Sequence, residues 1–123
     1  MKYSLGGVDY DLVFNVHTME LIENEEKEVS QTISDFRKNS RNIHNVKAMF
    51  RVMANSGRWL KGLPEDVTGD EIGRLGLKGL DTLSRAMNLT VEESLHSETT
   101  GGNEADDEKH DLVLEALEAE KNG

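Results

Sequence analysis

Four histidines, twenty-four carboxylates and no cysteine are the side chains from which this 123-residue chain could assemble chemistry. His17, His44, His96 and His110 stand apart, and none forms the His-x-x-x-His pair that sets two imidazoles on one helical face for a metal. All four read as surface histidines. Acid–base work requires carboxylates that are partly buried and tuned against each other, whereas these fall mostly on faces expected to be solvated. The absence of cysteine excludes a disulfide framework, a zinc knuckle and a thiol nucleophile. Gly73-x-x-Gly76-x-x-Gly79 lacks the spacing and terminal lysine of a phosphate loop, and no strand feeds it, so its expected task is backbone geometry. No catalytic, cofactor-binding or metal-ligating residue is assigned, and no enzyme is expected.

Binding chemistry is the other possibility. Trp59, the only tryptophan, is a natural recognition anchor, yet beside Leu60 at the end of an apolar stripe it is expected at the edge of the core. Leu112, Val113, Ala116 and Leu117 gather at helical spacing near the end of the chain, beyond a polar stretch. Their apolar face has no evident home, so it either lies solvated or docks on another surface by helix-in-groove packing. Trp59 and these four residues are the candidate protein-binding positions.

The elements that must position them begin with a hairpin. Gly6-Gly7 suits a two-residue loop, since glycine reaches positive φ without penalty, and the residues on either side alternate apolar and polar. Closing there pairs Leu5 with Val8, Tyr3 with Tyr10 and Met1 with Leu12 on one face. Ser4 meets Asp9 and Lys2 meets Asp11 on the other, and a slip by one residue would destroy this separation. A lone hairpin is marginal in water, so helices must cover its apolar face.

Helical periodicity dominates the rest of the chain. Val16, Met19 and Leu21 or Ile22 predict a helix over 16–26, capped by Asn15 or Thr18, and Val29, Ile33 and Phe36 predict a second near 28–38. Residues 39–42 form a polar break that can cap the next element. Ile43, Val46, Phe50, Met53, Gly57 and Leu60 then recur at alternating spacings of three and four, with Met49 and Ala54 widening the stripe. This predicts a central core helix of about five turns with Lys47, Arg51, Asn55 and Arg58 on its opposite face. The stretch Gly62-Leu63-Pro64-Glu65-Asp66 is expected to end it, since proline cannot donate to a helical ladder.

Thr68 and Glu71 fit a capping box, opening a helix with Ile72, Leu75, Leu80, Leu83 and Met87 apolar. Its glycines either break it near 76–79 or admit a second backbone; the break is the expectation. Thr90 and Glu93 repeat the capping pattern and predict a new short helix ending near His96. Residues 97–108 are too polar to bury and read as a linker.

The expected fold is therefore mainly α: a helical domain over 1–97 with a short N-terminal β-hairpin, then a flexible acidic linker and amphipathic tail helix over 98–123. The net charge is −10, and residues 97–123 hold nine Asp/Glu against two Lys. Such a balance opposes binding to nucleic acid or anionic membrane, and there is no basic stripe. No apolar run is long enough for a membrane span, which gives cytoplasmic localisation as the expectation.

The order of features resembles a known family. A Tyr3-x-Leu5-Gly6-Gly7-x-x-Tyr10-x-Leu12-x-Phe14 hairpin leads into a helix with Met19, Glu20, Leu21, Ile22 and Glu23. A core helix then passes through Ala54, Asn55, Ser56 and Gly57, and a segment from Val67 to Leu75 comes after it. Over roughly residues 3–90 this is similar to the tail assembly chaperones of long-tailed, siphovirus-type bacteriophages. The resemblance implies a small, mostly helical, non-enzymatic protein of the infected bacterial cytoplasm. It would bind the tape measure protein, keep it soluble, help recruit tail tube protein, self-associate, and be absent from the mature virion. Residues 98–123 match no motif of that family. The competing reading is an acidic DNA mimic or regulatory inhibitor, suggested by the charge alone.

Overall fold

The computed structural model describes the backbone of residues 1–100 and the side chains of residues 1–96. Strands β1 (Lys2–Leu5) and β2 (Val8–Asp11) are followed by helices α1 (Val16–Asn24), α2 (Val29–Lys38) and α3 (Ile43–Leu60). A 3-10 turn (Asp70–Arg74) then precedes α4 (Leu77–Thr100). The fold is mainly helical with an N-terminal two-stranded antiparallel hairpin. Of the linker and tail expected over 98–123, residues 98–100 instead belong to α4, and residues 101–123 lie outside the described residues.

The hairpin has the register its alternation requires: Lys2 opposes Asp11, Tyr3 Tyr10, Ser4 Asp9, and Leu5 Val8. Gly6 and Gly7 sit at φ +58° and +80°, the left-handed region that the two-residue loop demands. The chain terminus extends the ladder, since Leu12 N–H donates to the Met1 carbonyl at 2.7 Å. Leu5, Tyr10 and Leu12 are buried, Met1 and Tyr3 pack against the core from its edge, and Val8 at the tip stays half exposed.

Asn15 and Thr18 both cap α1. The Asn15 side chain accepts from Thr18 N–H and the Thr18 hydroxyl accepts from Asn15 N–H, each at 3.0 Å. This reciprocal box satisfies two donors that the first helical turn leaves free. Ile22, rather than Leu21, is the residue α1 buries. In α2 the expected trio holds, with Ile33 and Phe36 buried and Val29 packed at the edge. Asn42 caps α3 through Asn45 N–H, as the polar break anticipated.

Helix α3 is the hub. Residues Val52, Met53, Ala54, Asn55, Ser56 and Gly57 are all buried, and six successive positions sweep more than a full turn, so this stretch is enclosed on every side. Two expectations change in consequence. Asn55 is not on a solvated face: its amide accepts from Val67 N–H and donates to the Val67 carbonyl, both at 3.0 Å, which fastens the 61–69 loop across α3. The ends of the stripe, Ile43 and Leu60, are exposed, because the covering elements reach only the middle of the helix.

The stretch 62–66 does end α3, though within it the stop is made by Gly62 and not by the proline. Gly62 takes φ +71°, its N–H bonds the Trp59 carbonyl, and Leu63 N–H bonds the Arg58 carbonyl, which is the paired pattern of a Schellman motif. Pro64 comes where a helix has already ended.

Thr68 and Glu71 interact as a capping pair, the hydroxyl and N–H of Thr68 donating to the Glu71 carboxylate at 3.0 and 3.3 Å. The helix they open is a short 3-10 turn, and the chain breaks at Leu75 and Gly76 before α4, as expected from the glycines. Gly73 and Gly76 have no neighbouring atom within 4 Å of a would-be Cβ, so the alternative, a close second backbone, does not operate at these two positions. Thr90 does not start a helix. It lies inside α4, where its hydroxyl bonds the Ala86 carbonyl at 2.9 Å, and the helix continues past Ser97 to Thr100. The buried set Leu83, Met87, Val91 and Leu95 repeats every four residues straight through Thr90. That unbroken stripe is the signal that outweighs the capping pattern.

Burial alone would raise the Glu71 carboxyl, but donation from its own N–H, the Thr68 hydroxyl and N–H, and the Gly69 N–H holds it below the ordinary 4.5. A folded-state value lowered relative to the unfolded chain contributes stability above the unfolded value and loses it as pH falls through the folded one. The gap in urea midpoint between the native chain and Glu71→Gln is therefore constant above pH 4.5 and closes below it. A gap unchanged down to strongly acidic pH would show that the charge of Glu71 does not stabilise the turn.

Candidate functional site

Exposed apolar side chains mark where the surface is built to do something other than dissolve, and three of the largest sit together at the end of α3. Trp59 is 49% exposed, Leu60 57% and Leu63 47%. The Schellman turn dictates this: it ends the helix at Leu60 and swings Leu63 back, leaving no element to cover them. Trp59 is thus not the core-edge residue its position in the stripe suggested.

The indole is nonetheless held. The His17 ring stacks on it with centroids 4.2 Å apart and planes 11° from parallel. His17 Nε2 lies 2.5 Å from Glu65 Oε1, and Nδ1 lies 3.8 Å from Glu20 Oε2. Each partner is placed by a separate local rule. The Asn15–Thr18 box sets the first turn of α1 and hence His17, while the loop after Gly62 brings Glu65 across. The buried Thr18 hydroxyl, 2.7 Å from that of Ser56, fixes α1 to α3 close to the stack. The His17 side chain is only 14% exposed, so the reading of a free surface histidine is corrected here. His44 and His96 are exposed as expected, and His110 lies outside the described residues.

What this arrangement can do is bind. A flat, half-exposed indole with a fixed ring behind it presents apolar area whose rotamer entropy is already lost, which is the character of an interface anchor. Among the described residues no group of three or more His, Cys, Asp or Glu could hold a metal ion, and no helix is long and apolar enough to cross a membrane. Leu112, Val113, Ala116 and Leu117, the other candidate binding positions, lie outside the described residues. Sequence reasoning misses the stack itself, because His17 and Trp59 are forty-two positions apart and neither carries a local signature of the other.

No protein-family model, no curated protein and no solved structure matches the chain.

Proposed function

We propose that this chain is a protein-binding chaperone of the phage tail assembly type, which holds a tape measure protein soluble and helps gather tail tube protein around it. The observation that carries the reading is the braced indole of Trp59, offered to solvent beside Leu60 and Leu63. A long helical client with apolar stripes is the kind of partner that such a surface shields. The order of hairpin, helices and capping turn supplies the family resemblance, and the acidic balance keeps both chaperone and complex soluble. The competing reading, an acidic inhibitor mimicking DNA, rests on charge and would lose its partner as salt rises.

Coexpression with a tape measure fragment tests it. The full chain moves the client into the soluble fraction, and the complex persists in high salt. Trp59→Ala weakens capture by about thirty-fold, the effect of losing an aromatic anchor worth roughly 2 kcal/mol. Because Trp59 is already half exposed, the same substitution costs folding less than the roughly 3–5 kcal/mol lost with a fully buried tryptophan, so the variant remains folded. A client left insoluble by the native chain, or a complex dissolved by salt, overturns the proposal.

A further inference from the structure

A second apolar feature lies at the other end of α3, between α4 and the link from α2. A groove of about 470 Å³ is lined by Arg41, Ile43, Leu77, Leu80, Asp81 and Ser84. Leu77 is 86% exposed and Ile43 53%. At its floor Ser84 is buried, and its hydroxyl has no hydrogen-bond partner. An orphaned buried hydroxyl costs on the order of 1–3 kcal/mol, so this one is poised for a partner that the described residues do not supply.

The groove continues along α4. A shallower depression succeeds it, lined by Arg37, Arg85, Asn88, Leu89 and Glu92, and Leu89 is 58% exposed. Asp81 bridges the two, 3.6 Å from Arg41 and 3.2 Å from Arg85. Arg37, Arg41, Lys78 and Arg85 on these rims outnumber Asp81 and Glu92, so the seam is locally basic on a chain whose net charge is −10.

We infer that this seam is covered by the chain's own segment 106–121, with Leu112, Val113, Ala116 and Leu117 seated within the apolar line that runs from Leu77 through Leu80 to Leu89. Three facts converge on that occupant. Residues 97–123 carry nine carboxylates against two lysines, the charge the basic rims attract. The apolar residues recur at helical spacing and, spanning about 8 Å from Leu112 to Leu117, fit within a seam that from Leu77 to Leu89 is about 18 Å long. The tether also reaches: α4 ends at Thr100, the five residues before 106 span up to about 17–18 Å, and the sixteen from 106 to 121 add about 22–24 Å at helical rise. Leu89 lies about 16 Å back along the helix and Leu77 about 35 Å back, so an antiparallel return is within range. Any partner that uses the Leu112 face must first displace it from the seam, which makes the segment a built-in competitor whichever client the protein binds.

The full chain tests this directly, since it has no native cysteine. A nitroxide on Glu118→Cys is expected to broaden the methyl signals of Ile43, Leu77, Leu80 and Leu89 and to spare Leu63, at the far end of α3. Leu77→Asp, at a position already exposed, restores the signals of Ile43, Leu80 and Leu89, and the double substitution Leu112→Asp with Leu117→Asp restores all four. Mixing spin-labelled chains with isotope-labelled chains that carry no nitroxide produces no broadening. Three outcomes would overturn the inference: no selective broadening, broadening that survives both sets of substitutions, or broadening that appears equally in the mixed sample. The last would place a second copy in the seam.

Discussion

Gly57→Ala is expected to remove a large part of the stability of this domain, at least about 3 kcal/mol of the roughly 5–15 kcal/mol typical of small domains. A Cβ at position 57 would stand 1.8 Å from the backbone carbonyl oxygen of Asp11 and 2.8 Å from its carbon. Neither atom is the movable end of a side chain. Relief requires the end of β2 to lift from α3, and that junction is tied down by Val13 N–H on the Met53 carbonyl at 3.2 Å. Lifting it would uncover Leu12 and Phe14, both buried. The direction is opposite to intrinsic propensity, since alanine is worth up to about 1 kcal/mol over glycine inside a helix. Gly73→Ala is the matched control, because nothing lies within 4 Å of its would-be Cβ, and it is expected to be neutral or stabilising by about 0.4–1 kcal/mol. Urea unfolding followed by circular dichroism decides the matter. A Gly57→Ala midpoint close to that of Gly73→Ala would mean that β2 does not cross α3 at this position.

The contrast between these glycines also shows what the sequence can and cannot reveal. Local rules are legible. The Gly6-Gly7 loop dictates the hairpin register, Asn15 with Thr18 and Asn42 mark helix starts, and the three-four spacing from Ile43 onward gives the extent of α3 to the residue. The glycines at 73, 76 and 79 stand out in one dimension and signal a break, whereas Gly57 looks like one more small residue in an apolar stripe. Its significance comes from a strand forty-six positions earlier in the chain, which no periodicity reports.

The same reason accounts for the errors. A helical wheel sets Asn55 on a solvated face because it knows nothing of a loop that folds back over it. Trp59 falls at the core edge only when its stripe is judged apart from the turn at Gly62 that strips its cover away. At Thr90 two local signals conflict, a capping pattern and a four-residue apolar repeat, and burial of Val91 and Leu95 decides in favour of the repeat. Where a candidate site depends on contacts between distant segments, as the His17–Trp59 stack does, sequence alone names the parts without the pairing. The tail residues from Leu112 to Leu117 are the reverse case, in which the pattern is plain and the surface it meets has to come from the fold.

Asn55 is the position at which a single side chain replaces a whole element. Val67 is buried in a loop that forms no ladder, and its N–H and carbonyl are both answered by the Asn55 amide at 3.0 Å. Asn55→Ala strands two buried backbone groups at about 1–3 kcal/mol each, giving an expected loss of roughly 2–5 kcal/mol. Asn55→Asp separates the two bonds. An ionised aspartate still accepts from Val67 N–H, but it sets a buried negative charge against the Val67 carbonyl and has no proton to donate. Protonated, it regains a donor and resembles the native amide. Burial therefore raises its folded-state value above the unfolded one, and stability present below the ordinary carboxylate range is lost as pH rises through the raised value. Urea midpoints for Asn55→Asp are expected to approach those of the native chain in mild acid and to fall toward those of Asn55→Ala at neutral pH. An Asn55→Asp chain whose deficit is the same at both would show that the amide does not clamp Val67 from both sides, and the 61–69 loop would need another anchor to α3.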